Sequence, residues 1–265
     1  MQNISVSLIQ SPLAWEDPRK NLELFSRKIR AIDQPTDLIV LPEMFTTGFS
    51  MEARKLAEPM GGASMEWMKD MAGEKNSVVC GSLIVEEGGK FYNRMIWMPP
   101  NGQFSAYDKY HLFSHAGENL HYQTGTKKQV VRLRGWKILL LICYDLRFPV
   151  FIKNKVDKDG NFDYDCILNV ANWPASRSHA WRILLMARAI ENQAYVIGLN
   201  RVGSDGRGIS YCGDSAVISP RGENLSNIMP GAGQTETLVM PRCQLESFRS
   251  EFRPWADWDA FSMNP

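Results

Sequence analysis

Short apolar runs alternate with helical patterns along this chain. Ile4, Val6 and Leu8 are separated by polar residues, a period of two that predicts a strand. Asp17 followed by Pro18 predicts a helix N-cap with proline at the first helical position, and Leu22, Phe25 and Ile29 then recur at helical spacing. Asp37–Leu41 is a short apolar run ended by Pro42, the pattern of a buried strand leading into a loop. Ser64–Lys75 predicts a helix with Met65, Met68 and Met71 on one side. Ser77–Val85 and Phe91–Pro99 predict two strands, and Glu86–Lys90, with Gly88-Gly89, predicts the hairpin turn between them. A second turn at Pro99–Gly102 leads to Gln103–Tyr107, and Val130–Leu133 pairs with Lys137–Ile142 around Arg134-Gly135. Strands are further predicted over Asp165–Val170, Ala194–Asn200, Ser215–Ser219 and Thr235–Met240. Ser178–Gln193 is the clearest amphipathic helix, with Ile183, Met186, Ala187 and Ile190 as its recurring apolar positions.

Hairpins mixed with strand–helix units imply an α/β fold with mixed sheets flanked by helices. The chain has 265 residues, which one large α/β domain can use, and no internal repeat divides it. Lys153–Asp163 is charged but too short to separate domains, so it is expected to be an inserted surface loop of one domain spanning 1–265. The core is expected over about 4–243, with a tail over 244–265 whose Trp255, Trp258 and Phe261 should pack on the body or on a partner subunit rather than face water.

Composition narrows the function. Thirty Lys and Arg against 29 Asp and Glu give a net charge of +1, so nothing points to nucleic acid as a partner. The apolar run Ile138–Tyr144 is far short of the ~18 residues of a membrane span. The N-terminal stretch predicts a strand, not a signal peptide. Five cysteines, an odd number with no metal-ligand spacing, argue for free thiols in a reducing, cytoplasmic setting. Gly231-Ala232-Gly233 lacks a dinucleotide-binding context, no phosphate loop or G-x-S-x-G elbow occurs, and the four histidines form no zinc pattern.

Three segments place an ionisable group just after an apolar or aromatic run. In Leu38-Ile39-Val40-Leu41-Pro42-Glu43-Met44-Phe45 a carboxylate follows a buried strand, at the sheet edge where ligands collect. Apolar neighbours would raise its pKa toward the range of a general base, although a glutamate solvated at a strand end is the commoner case. In Tyr107–Phe113, Lys109 lies among aromatics. Buried beside Glu43 it would stay charged and hold an oxyanion, whereas exposed lysines are the rule. In Lys137–Pro149 an apolar strand stops at Cys143, with a turn and a helix expected to follow, a geometry that exposes a nucleophile. A helix N-terminus and Lys109 would lower the thiol pKa, while a buried structural thiol is the alternative.

In this order, LPEMF, DKYHLF and ICYDLRFP resemble the nitrilase (carbon–nitrogen hydrolase) superfamily. Gly117–Tyr122, Asn169–Trp173, Arg188–Tyr195, Asn200–Gly203 and Gly213–Ser215 extend the resemblance from Ile4 to about Cys243. CYDLRFP, NWP, RAIENQAYV and NRVGSDG are most similar to the bacterial omega-amidases, which hydrolyse the side-chain amide of 2-oxo acids such as 2-oxoglutaramate and 2-oxosuccinamate. The resemblance implies a four-layer αββα sandwich that dimerises through sheet-flanking helices and the C-terminal tail. It also implies Cys143 as nucleophile, Lys109 as oxyanion holder, Glu43 as acid–base and Glu118 as a second carboxylate, with no metal or organic cofactor. N-carbamoyl amine hydrolysis and nitrile hydrolysis use the same residues and remain alternatives. For an anionic substrate, Arg147 and Arg177 are the candidate cations, Trp173, Phe113 and Phe49 the apolar walls, and the backbone N–H of Tyr144 a further donor. Arg147 could instead pair with Asp145.

Overall fold

Residues 2–262 are described in the computed structural model. Met1 and the last three residues of the predicted tail, 263–265, lie outside them. In chain order the elements are β1 (Ile4–Gln10), α1 (Pro18–Arg30), β2 (Leu38–Val40), α2 (Ala53–Leu56), β3 (Glu58–Pro59), α3 (Ala63–Lys75), β4 (Val78–Glu87), β5 (Lys90–Met98), β6 (Ser105–Asp108), β7 (Val130–Leu133), β8 (Trp136–Ile142), α4 (Pro149–Ile152), β9 (Cys166–Ala171), α5 (Ser178–Asn192), β10 (Tyr195–Asn200), β11 (Val202–Ser204), β12 (Ser210–Cys212), β13 (Ala216–Ile218), β14 (Gln234–Met240) and α6 (Arg242–Glu251).

Apart from β11 and β12, which pair only with each other, the strands form two mixed sheets. One has the order β14-β1-β2-β4-β5-β6, with β3 added beside β4, and the other β13-β10-β9-β8-β7. In each, a parallel centre (β1-β2-β4 and β8-β9-β10) is extended by antiparallel neighbours. Strands buried on both faces need apolar residues on both, and the two sheets obey this. Ile4, Val6 and Leu8 meet Ile138, Leu140, Leu168 and Ile197 in the core between the sheets. Ile9, Ile39 and Val79 face Phe25, Ile29, Met65, Met68 and Met71 of α1 and α3. Leu139, Leu141 and Ile167 face Trp181, Leu185 and Ala189 of α5. The layers are therefore helix, sheet, sheet, helix.

Asp17 caps α1 as its spacing predicts, its carboxylate accepting from the Lys20 N–H (3.1 Å). Helix α5 also occupies its predicted span, but of its predicted apolar stripe only Met186 packs on the core, and Ile183 and Ile190 point outward. Trp181, Leu185, Arg188, Ala189 and Asn192 are buried, whereas Ile183 and Ile190 are 47% and 55% exposed. Both faces of this helix carry apolar residues, so periodicity alone chose the wrong one. The core boundary expected near 243 falls inside α6, whose Leu245 belongs to the inter-sheet core. The Lys153–Asp163 segment is a surface loop, and the aromatic tail packs on it: Trp255 and Trp258 meet Phe162 edge-on, and Lys153 Nζ lies 3.6 Å from the Trp258 ring centroid.

One buried carboxylate locks α6 to the second sheet. Asp165, just before β9, accepts from Arg249 Nη1 (2.8 Å) and the Lys137 N–H (3.0 Å), and forms an ion pair with Arg242, whose Nη1 lies 2.8 Å away. Burial works against its charge, but the two guanidiniums prevail and hold Asp165 below the ordinary aspartate value. A depressed carboxyl contributes stability above its unfolded value that is lost as pH falls through the folded one. Asp165→Asn is expected to lower the urea-unfolding free energy at pH 7 by about 3 kcal/mol, with the gap to wild type closing below about pH 4. Parallel pH profiles of the two proteins would contradict this assignment.

Candidate active site

The carboxyl ends of the parallel strands converge on one cluster. Glu43 follows β2, Cys143 follows β8 and Asn172 follows β9, while Lys109 follows the edge strand β6. Glu43, Lys109 and Glu118 are all buried, the last in a short 3-10 turn at Glu118–Leu120. Lys109 Nζ lies 2.9 Å from Glu43 Oε1 and 2.9 and 3.1 Å from the two oxygens of Glu118. Asn93 Nδ2, from β5, donates to both carboxylates, at 2.8 Å to Glu43 and 3.1 Å to Glu118. Ser82 of β4 orients that amide by donating to Asn93 Oδ1 (2.8 Å), and accepts from the Met44 N–H (2.8 Å). The Asn172 N–H reaches Glu43 Oε2 at 2.7 Å, and the Phe113 N–H reaches Glu118 Oε2 at 2.5 Å.

Burial alone would favour a neutral lysine, but the carboxylates of Glu118 and Glu43 outweigh it and hold Lys109 above its ordinary value. Burial, with Glu43 adding to it, raises Glu118, against the pull of Lys109 and the Phe113 N–H. Glu43 is thus surrounded by donors rather than by the purely apolar neighbours its sequence context predicts.

Cys143 is half-buried, with φ of 44°, and opens a 3-10 turn over Cys143–Arg147 rather than the expected helix; the α-helical turn α4 begins only at Pro149. A left-handed non-glycine residue at a strand end is a strained turn, and it is stabilised by Asp145. This buried carboxylate accepts from the Ile142 N–H (3.0 Å), the Tyr107 hydroxyl (2.8 Å), the His111 N–H (2.9 Å) and His111 Nδ1 (2.8 Å). It ties the thiol's turn to the segment carrying Lys109. Arg147, a possible partner for Asp145 on sequence grounds, stacks instead on Trp173 at 4.7 Å. The expectation of a lowered thiol pKa also needs correcting. Burial, and next Glu43, push Cys143 well above the ordinary cysteine value, and Lys109 offsets this only in part. Two carboxylates surround one ammonium, and a 3-10 turn offers little helix dipole.

Cys143 and Lys109 face an open-mouthed pocket. Tyr144, Arg147, Phe113, Trp173, Arg177 and Phe49, the six residues expected to contact substrate, all line it. Phe49 lies 5.2 Å from Lys109 Nζ, and Arg177 stacks on Phe113 at 5.3 Å. Trp173 is fixed by Asn200, which accepts from its N–H (2.8 Å) and donates to its carbonyl (2.9 Å). Sequence reasoning missed Asn93 and Asn172 as site residues, and it missed the β11–β12 hairpin, which brings Asp205, Arg207, Ile209 and Tyr211 to the pocket. Asn172 lay within a segment noted for resemblance, so a signal existed. The hairpin's first strand also lay within such a segment, NRVGSDG, but its polar, glycine-rich run carries no strand period and Arg207 falls just beyond the segment.

A half-buried thiol and a buried ammonium flanked by two carboxylates thus meet at one pocket, at the carboxyl edge of a sandwich of the αββα class. The chain matches the family model described as carbon-nitrogen hydrolase over residues 5–250, and it belongs to that family. It is 43% identical to the omega-amidase YafV of Escherichia coli K12, over 99% of this chain and 100% of the relative. To the 2-oxoglutaramate amidase of Bacillus subtilis 168 it is 32% identical, with 91% of each chain covered. The crystal structure of XC1258 from Xanthomonas campestris, a CN-hydrolase superfamily protein with an arsenic adduct in its active site, superposes with a TM-score of 0.97 at 38% identity, covering 100% of both chains.

A raised thiol pKa has a direct consequence for reactivity. Iodoacetamide labelling of the Cys143 peptide in the ligand-free protein, followed by mass spectrometry, is expected to keep accelerating with pH through the ordinary cysteine range of about 8.5. A plateau at or below pH 7 would show a preformed thiolate and overturn the charge assignment.

Proposed function

We propose that the protein is an omega-amidase that hydrolyses the side-chain amide of 2-oxo acids such as 2-oxoglutaramate and 2-oxosuccinamate. The observation that carries this reading is one pocket holding a thiol and an ammonium at its floor and the guanidiniums of Arg147 and Arg177 on its walls. That arrangement suits an amide with an anion at its far end. The names of the full-length relatives agree with it.

In this mechanism the Cys143 sulfur attacks the amide carbon while Glu43 takes the thiol proton. The carbonyl electron pair moves to oxygen, held by the Lys109 ammonium and the backbone N–H of Tyr144. Glu43 returns the proton to nitrogen, the C–N bond breaks and ammonia leaves a thioester. Glu43 then deprotonates water, hydroxide adds to the thioester carbon, and collapse breaks the C–S bond, freeing the dicarboxylate and restoring the thiol. Glu118 keeps Lys109 charged and in place. Phe49, Phe113 and Trp173 exclude water around the reacting carbon, and Arg147 and Arg177 bind the carboxylate. No step calls for a metal or organic cofactor.

The same reading includes a homodimer in the cytoplasm. Support for the dimer is the pair of exposed apolar residues Ile183 and Ile190 on the outer face of α5. Support for a reducing compartment is that all five cysteines are free. Among the described residues no helix is long and apolar enough to cross a membrane.

Ammonia release from 2-oxoglutaramate, 2-oxosuccinamate, L-glutamine and an N-carbamoyl amine tests the function. Release is expected from the two oxo-acid amides and to fall at least ~10³-fold in Cys143→Ala. In Lys109→Met, with one oxyanion donor lost, kcat is expected to fall by at least ~10²-fold. Release from the carbamoyl compound alone would keep the nucleophile and reject the substrate.

A further inference from the structure

The pocket has opposite charge at its two ends. Its floor carries two carboxylates, Glu43 and Glu118, around the one ammonium of Lys109. Its mouth carries three guanidiniums from three different segments: Arg147 at the end of the Cys143 turn, Arg177 before α5, and Arg207 at the tip of the β11–β12 hairpin. Among the described residues none of the three is in an ion pair, and none donates a side-chain hydrogen bond. The one acidic residue at the mouth, Asp205, is already committed: its carboxylate accepts from the Arg207 N–H (2.9 Å), the Ile209 N–H (2.9 Å) and the Tyr211 hydroxyl (2.8 Å).

The hairpin that presents Arg207 is a built element rather than a loose loop. Buried Arg201 donates to the Ser204 carbonyl (2.9 Å) and stacks on Tyr211 (4.6 Å), fixing both strands. Asp205 closes the tip through the bonds just given. Gly206 lies so close to the Trp15 ring that an added Cβ would fall 2.3 Å from it, so the tip is seated on the body of the protein. Three unpaired cations brought to one concavity by rigid elements repel each other, and an anion relieves that repulsion.

We propose that Arg207, acting with Arg147 and Arg177, is the residue that selects 2-oxo acid amides over the corresponding α-amino acid amides. This rests on the omega-amidase reading and deepens it. A 2-oxo acid head offers three acceptor oxygens and no positive charge, and suits a ring of guanidinium donors. The head of glutamine or asparagine carries an ammonium beside its carboxylate, and three guanidiniums repel it. The charge gradient also sets direction: the anionic head is drawn to the mouth and repelled from the floor, so the neutral amide is delivered to Cys143.

Steady-state kinetics of wild type, Arg207→Met and Arg207→Lys on 2-oxoglutaramate, L-glutamine and uncharged butyramide test the proposal. In Arg207→Met, kcat/KM for 2-oxoglutaramate is expected to fall ~10- to 100-fold, mainly through KM, the effect of losing one charged hydrogen-bonding group. Butyramide should be unaffected and glutamine should not fall, so the oxo-to-amino ratio narrows. Arg207→Lys should restore part of the loss. Competitive inhibition of butyramide hydrolysis by 2-oxobutyrate against L-2-aminobutyrate gives the same ratio where glutamine turnover is too slow to read. An unchanged ratio in Arg207→Met, or an equal fall on butyramide, overturns the role of Arg207. Cys143-dependent ammonia release from other amides with none from 2-oxoglutaramate overturns the omega-amidase reading instead, a separate result.

Discussion

The structure turns on an ammonium buried between two carboxylates. Lys109, Glu43 and Glu118 put one ammonium and two carboxyl groups side by side out of reach of water. Such a cluster is tolerable only if its oxygens are supplied with donors, since a buried charge left unpaired costs several kcal/mol. The donors come from everywhere at once: Asn93 in β5, the Asn172 N–H at the end of β9, and the Phe113 N–H in the loop after Lys109. Because Asn172 belongs to one sheet and Glu43 to the other, the same bonds that satisfy the carboxylates fasten the two sheets together at their carboxyl edge. The second Asn172 contact, from Nδ2 to the Glu43 carbonyl (2.6 Å), repeats that link. The site is therefore part of the sandwich's polar framework as well as its chemistry.

That constraint decides how the thiol must work. A cysteine beside a lone lysine would ionise easily; beside a lysine already claimed by two carboxylates its pKa is pushed up by burial and by Glu43. In the proposed mechanism the proton therefore leaves as the C–S bond forms, with Glu43 taking it. A protonated resting thiol is also a poor target for oxidants and alkylating agents, which react with thiolate. The nucleophile is thus poised by geometry rather than by standing charge: the strained backbone at Cys143 and the four bonds to Asp145 place sulfur, and substrate binding supplies the reason to ionise.

What the sequence disclosed follows from where information is local. Glu43 and Cys143 stand at the ends of apolar strand runs, and a run that stops at an ionisable residue is visible without any structure. Lys109 and Glu118 acquire meaning only with partners 66 and 9 residues away, and that pairing came from resemblance rather than spacing. Asn93 sits in a strand whose neighbours look ordinary, so its double donation to the carboxylates left no trace. Helix α6 has few apolar residues, and it is held by Arg242 and Arg249 on Asp165, a tertiary bond that overrides weak periodicity. In α5 the error was opposite in kind: both faces are apolar, so the pattern established the helix but not its orientation.

The β11–β12 hairpin shows why the missed part concerns specificity. The strands that present Glu43, Cys143 and Asn172 are buried on both faces, and their residues answer to packing first. A hairpin at the rim answers to little besides its own turn bonds and Trp15, so it can change what the mouth carries without disturbing the floor. Reaction and selection are accordingly divided along the pocket axis. In the proposed mechanism the floor, buried and over-determined by hydrogen bonds, performs a step common to many amides. The mouth, lined by Arg147, Arg177 and the hairpin's Arg207, is where the proposal puts the other end of the molecule. A fold of this kind can keep one chemistry and exchange substrates by altering rim residues that carry no periodic signal, which is why a reading of the sequence reaches the reaction before it reaches the substrate.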